Sequence, residues 1–212
     1  MLQRSLAGFA ALVLLGACGG GSSPSIFSAG PTAASIAVQP GDLPSGMQKC
    51  NLSGDIDGFL EKAKAKDPAT YTQTKTEWDA AKKQGATSAY VAFYTDTAAH
   101  CASLETSSSD ITSATFKLVV NFVIQFQDEA SASKGYANES IFGVSKSSLK
   151  GGVEGAATGL GPNSIVLSTS FGNQSYYVAA WQSKAYMVIL AILNLDAATC
   201  KKVAVAENSR IK

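Results

Sequence analysis

The sequence predicts an α+β fold: an antiparallel β-sheet of about five strands with helices packed on one face. Three observations predict it. First, residues 114–127, ATFKLVVNFVIQFQ, alternate with period two. Phe116, Leu118, Val120, Phe122, Ile124 and Phe126 share one side, and Lys117, Val119, Asn121, Val123, Gln125 and Gln127 the other. That pattern describes a strand with one buried face, as found in antiparallel sheets. Second, three apolar runs follow one another near the C-terminus with turn residues between them. Third, several segments open on an Asp and continue with apolar residues at helical spacing. Strands in succession, rather than in regular βαβ units, indicate α+β.

The elements follow in order. Asp42-Leu43-Pro44-Ser45-Gly46 reads as a turn, with Pro and Gly fixing the backbone. Asp55 caps a helix whose apolar face carries Ile56, Phe59, Leu60 and Ala63. Asp67-Pro68 starts a second helix, with Tyr71, Trp78 and Ala81 on one face, and Gly85 stops it. Ser88 to Thr95 reads as a strand, and Thr95 or Asp96 caps a short helix with His100, Cys101 and Leu104. Ser107-Ser108-Ser109 marks a loop before the alternating strand. Asp128 then caps a helix ending near Asn138, and residues 143–163 form a Gly-rich connection. Strands at Ser164–Phe171, Ser175–Gln182 and Ala185–Leu193 follow. Gly172-Asn173 suits a tight hairpin, whereas Ser183-Lys184 predicts a looser turn. The run AYMVILAILNL is too short to span a bilayer and reads as a central strand. Asp196 caps a last helix, with Lys201 and Lys202 outward.

The N-terminus follows different rules. Arg4 precedes an apolar run from Leu6 to Leu15, then the small residues Gly16 and Ala17, then Cys18. The run suits a secretion signal. Leu15-Gly16-Ala17-Cys18 resembles the lipobox of bacterial lipoproteins. The resemblance implies that residues 1–17 are removed and that Cys18 is acylated, becoming a membrane-anchored N-terminus. It also implies placement on the extracytoplasmic face of the cell membrane. Gly19 stands where an Asp would retain a lipoprotein at a diderm inner membrane, so outer-membrane placement is open in such a host. Residues 18–34, rich in Gly and Ser, read as a tether with a reach of roughly 20–25 Å. A single domain is expected over 35–212.

Three features of the mature domain faintly resemble the PsbP-like fold and the extracellular sensor domains of actinobacterial kinases. They are the Asp42–Gly46 turn, the strand and Ala-rich helix over 116–138, and the closing hairpin and helix. This resemblance implies a fold and no chemistry.

Charge and cysteines bound the function. Cleavage before Cys18 removes Arg4 and no acid, leaving 16 basic and 16 acidic residues. With no net charge and no basic cluster, nucleic acid is not an expected partner. Export favours disulfide formation among Cys50, Cys101 and Cys200, for which three pairings exist. Cys50–Cys101 is preferred, because Cys50 follows a turn and Cys101 a strand, so both can sit at one end of the sheet. Cys200 reads as an apolar position on the last helix.

No segment carries recognisable catalytic chemistry. His100 is the one histidine, and no Gly-x-Ser-x-Gly elbow offers it a nucleophile. The cysteines are too scattered for zinc. Ser53–Gly58 resembles a calcium loop, but Lys64 stands where the closing Glu belongs. Gly151–Gly161 lacks the Lys-Ser/Thr of a phosphate loop. Asp57, Glu61, Asp96, Glu105, Asp110 and Glu154 could serve a carboxylate mechanism only by converging in space. Tyr90, Tyr94, Tyr176, Tyr177 and Trp181 lie on predicted strands. Tyr90, Tyr94, Tyr177 and Trp181 either line a ligand groove or fill the core. No catalytic, metal-binding or cofactor residue is assigned. The reading is a lipid-anchored, non-catalytic binding or envelope module, whose partners are the membrane and an envelope protein or small apolar ligand. A carrier or sensor with an apolar pocket and an unrecognised hydrolase are the alternatives.

Overall fold

The computed structural model describes residues 30–107, 114–137, 142, 144 and 147–212. Residues 1–17, Cys18, most of the tether, Ser108, Ser109, Asp110 and Asn138 lie outside the described residues. In chain order the elements are α1 (Ala33–Ile36), β1 (Gln48–Lys49), β2 (Gly54–Asp55), α2 (Ile56–Lys66), α3 (Pro68–Lys83), β3 (Ala86–Thr95), α4 (Ala98–Leu104), β4 (Leu118–Phe126), α5 (Glu129–Ala137), β5 (Val153–Glu154), β6 (Ser164–Phe171), β7 (Gln174–Ser183), β8 (Tyr186–Leu193) and α6 (Ala197–Asn208).

All the strands join one antiparallel sheet in the order β1-β3-β4-β8-β7-β6-β5, and β2 also pairs with β3. The sheet has eight strands, not about five. The five long strands are the ones visible in sequence. The additions, β1, β2 and β5, are two residues each, too short to show a period. The hairpin expected to be loose is tight. Ser183 pairs with Tyr186, and Lys184 turns with φ 49° while its carbonyl accepts from the Gln182 side-chain amide at 2.6 Å.

Asp side chains start four of the helices. Asp55, Asp67, Asp128 and Asp196 accept backbone N–H bonds from Gly58, Thr70, Ser131 and Thr199 at 2.7, 3.2, 2.7 and 2.9 Å. The cap of α4 is Thr97, which accepts from His100 N–H at 3.2 Å, rather than Thr95 or Asp96. Gly85 ends α3 at φ 98°, a left-handed conformation that side chains resist.

Helices cover both faces of the sheet, which corrects the one-face expectation. Phe59, Trp78, Ala132 and Tyr136, from α2, α3 and α5, pack with Phe93, Leu118, Ile124 and Ile189 on the first face. Ile36 from α1, and Cys200, Val203 and Ala204 from α6, pack with Val119, Val123, Leu190 and Trp181 on the second. β4 is therefore buried on both sides. Asn121, one of its polar-side residues, is 0% exposed and sits in a cross-strand row with Ala92, Leu190 and Ala179. Its side-chain oxygen accepts from Val38 N–H at 3.0 Å. Its amide donates to the Ile189 carbonyl at 3.2 Å and to Glu207 Oε1 at 2.8 Å.

Two ties hold the outer pieces. Cys50 and Cys101 form a disulfide, Cα–Cα 5.2 Å, joining the segment after β1 to α4. Arg210 forks onto both carboxylate oxygens of Asp42 at 3.1 and 2.8 Å and onto the Ile36 and Ala37 carbonyls. The C-terminus thus clamps the segment around α1. That segment begins at Thr32, which caps α1 through Ser35 N–H.

Candidate functional site

The site grows out of the end of β8. Asn194 adopts φ 61° and turns the chain from β8 toward α6. Its amide donates to the Ala114 and Phe116 carbonyls at 3.0 and 2.8 Å, and its oxygen accepts from Ser175 N–H at 3.3 Å. Ser175 Oγ donates to the Leu195 carbonyl at 2.9 Å. These bonds fix the β8–α6 junction against the β6–β7 hairpin and leave a cleft of about 390 Å³ between them.

Ser168, Ser170 and Ser175 form one wall of the cleft, and Asp196, Ala197 and Cys200 of α6 form the other. Tyr177 lies at its base, only 5% exposed, and its hydroxyl has no hydrogen-bond partner among the described residues. Burial pushes the Tyr177 phenol up to about 12, so it stays a neutral donor. Cys200 is 1% exposed, and burial likewise raises its thiol to about 12. A protonated, sealed thiol is unreactive. Asp196 has its carboxyl held below the usual range by bonds from Thr199 Oγ1 at 2.6 Å and Thr199 N–H. Its charge is therefore engaged at the start of α6.

The four aromatics singled out from sequence share the second face but do not line one groove. Tyr94 and Trp181 are 0% exposed and fill the core. Tyr94 donates to the Val38 carbonyl at 2.7 Å, and Tyr90 accepts from Lys49 Nζ at 2.7 Å. Tyr177 alone of these borders the cleft. Tyr94 and Trp181 thus belong to the core, and Tyr90 is half-buried beside Lys49. Tyr176 also lines the cleft, and its hydroxyl donates to Gln174 Oε1 at 2.7 Å. Ser168 and Ser170 were not anticipated, because a serine on a strand reads as ordinary surface.

The charged candidates occupy separate places. His100 Nδ1 lies 2.6 Å from Asp96 Oδ1, and its ring stacks on Phe116 at 4.0 Å. Glu105 pairs with Lys66 beside a depression of about 320 Å³ that includes Leu52 and Ala65. Asp57 and Glu61 border a groove of about 280 Å³ between α2 and α3, with Tyr71 and Trp78. Glu154 lies on β5, and Asp110 is outside the described residues. Among the described residues no group of three His, Cys, Asp or Glu side chains could hold a metal ion. Among them, too, no helix is long and apolar enough to cross a membrane.

No protein-family model and no curated protein matches the chain. Among solved structures, the extracellular domain of PknH from Mycobacterium tuberculosis is similar over 84% of this chain and 94% of that one. The identity is 7% and the TM-score 0.42. A likeness at that level carries no functional argument.

Proposed function

We propose that this chain is a lipid-anchored, extracytoplasmic binding protein without catalytic activity. Residues 4–18 support the anchor: a cation, an apolar core, a small pair and Cys18 in lipobox order. The observation that carries the binding reading is Tyr177, a side chain 5% exposed whose hydroxyl is left without a protein partner at the base of a cleft. The hydroxyl opens onto the cleft, where a bound molecule with an acceptor can take the place of water. The apolar-pocket alternative is weaker, because Tyr94, Trp181, Phe93 and Phe126 already fill both sides of the sheet.

Intact-mass analysis of protein extracted from its own host's membranes tests the anchor. The expected product lacks Met1–Ala17 and carries a diacylglycerol on Cys18, and Cys18→Ser releases it from the membrane fraction. A chain retaining Met1, or an unmodified Cys18 thiol, overturns the anchor. Robust turnover in a hydrolase panel, abolished by His100→Ala or Asp96→Asn, overturns the non-catalytic reading.

A further inference from the structure

The first stretch of the domain, residues 32–43, is fastened by side chains. Among the described residues, none of its backbone groups bonds to the backbone of another element. Its backbone bonds are internal, such as Ile36 N–H to the Thr32 carbonyl at 3.1 Å and Ala37 N–H to the Ala33 carbonyl at 3.0 Å. Val38 gives its N–H to Asn121 of β4, and its carbonyl accepts from Tyr94 of β3. Arg210 holds the Ile36 and Ala37 carbonyls. Ile36, Ala37 and Val38 pack into the second face of the sheet. A piece held in this way can lift without opening a strand ladder, as locally unfolding units do.

The network beneath it ends on a buried carboxyl. Glu207 is 0% exposed. Its Oε1 accepts from Asn121, and its Oε2 has no hydrogen-bond partner among the described residues. Arg210 stands three residues further on, but its guanidinium is engaged by both oxygens of Asp42 and by the two carbonyls. Asp42 belongs to the segment itself and adds a negative charge. Tyr94 faces the network from β3 and stays neutral, its phenol pushed up to about 12 chiefly by burial. Glu207 thus meets one cation, already paired, one carboxylate and neutral polar side chains. Burial above all raises its pKa, so it keeps its proton while the segment is down.

We propose that residues 32–43 form a pH-gated latch, closed over Asn121 and a protonated Glu207 and lifting as Glu207 ionises. Lifting breaks both Val38 bonds, admits water to Glu207 and frees Arg210 to pair with its carboxylate. The open form ionises in the ordinary carboxyl range and the closed form above it. Closure is therefore fully favoured below the ordinary range and weakens as pH rises toward the closed-state value. The latch does not depend on the cleft reading.

Hydrogen exchange of the full chain at pH 5, 6 and 7, corrected for intrinsic amide rates, tests it at the Ile36, Ala37 and Val38 amides. Their opening constants are expected to rise by up to about tenfold per pH unit, the effect of one proton. They are also expected to exceed those of the Val120 and Val188 amides, which lie within the sheet and report deeper unfolding. In Glu207→Gln, which binds no proton, the rise should vanish. Native opening constants that stay flat with pH overturn the latch, and they do so whether or not the variant folds. A rise that persists in Glu207→Gln overturns Glu207 as its trigger. Opening constants equal to those of Val120 and Val188 make the segment part of the core and overturn the latch as a separate unit.

Discussion

Replacing Glu207 with Gln should make this protein more resistant to unfolding as pH rises. Glu207 is 0% exposed on α6, where burial raises its pKa well above the usual carboxyl value. Asn121, donating to Oε1, and Arg210 pull it down, Asp42 pushes it up, and desolvation dominates. The sign follows from linkage. Between the unfolded and folded pKa values the native state holds a proton that the unfolded chain has released. Its contribution is therefore full below about pH 4.5 and is lost as pH climbs toward the folded pKa. Within that window the slope is set by one proton, at most about 1.4 kcal/mol per pH unit. Gln keeps the volume and the acceptor facing Asn121 but binds no proton. At pH 5 the two proteins should differ by less than about 1 kcal/mol. As pH rises from 5 toward 7 the Glu207→Gln variant should gain on the native protein, by at most about 1.4 kcal/mol per pH unit. Urea unfolding at pH 5, 6 and 7, with m unchanged, measures the gap. A difference that stays flat across that range would refute the argument that Glu207 is neutral in the folded protein.

Other outcomes follow from the same contacts. Cys101→Ser opens a loop with a sequence separation of 51 and should cost about 4 kcal/mol by loop entropy, read as a lower urea midpoint. An unchanged midpoint would mean that the bridge adds nothing. Arg210→Ala should cost about 1.5–3 kcal/mol and speed hydrogen exchange in residues 33–42, because Asp42 and two carbonyls lose their donor. Arg210→Lys should recover less than half of that loss, since one ammonium cannot reproduce the fork. Asp196→Ala should cost about 1 kcal/mol, measured by thermal melt, through loss of the α6 cap.

The long strands and Asp-capped helices were legible because each obeys a local rule. β6 runs from Ser164 to Phe171 as its pattern predicts, and Asp55, Asp67, Asp128 and Asp196 cap the helices they precede. The second layer of helices was hidden for a physical reason. Asn121 and Gln125 made one side of β4 look solvated, yet Asn121 is buried with its polar atoms bonded to Val38, Ile189 and Glu207. Alternating polarity reports which side is more apolar, not whether the other side is wet. The segment around α1 escaped notice because four helical residues show no period, and it is held from the far end of the chain by Arg210. The cleft was half legible. Tyr177 stood out as an aromatic on a strand, but nothing local told it apart from Tyr94 or Trp181. Its role depends on where Asn194 directs α6, which is a long-range property.

The Pro31 carbonyl accepts from the Tyr186 hydroxyl, at the first residue of β8, whereas the cleft opens where β8 ends. The strand between them spans roughly 25 Å. Pro31 thus sits at one pole of the sheet, and the mouth of the cleft stands at the other. On the proposed lipid-anchored reading, the chain enters the domain at the pole away from the mouth, so an anchor and a solute in the cleft need not compete for one surface.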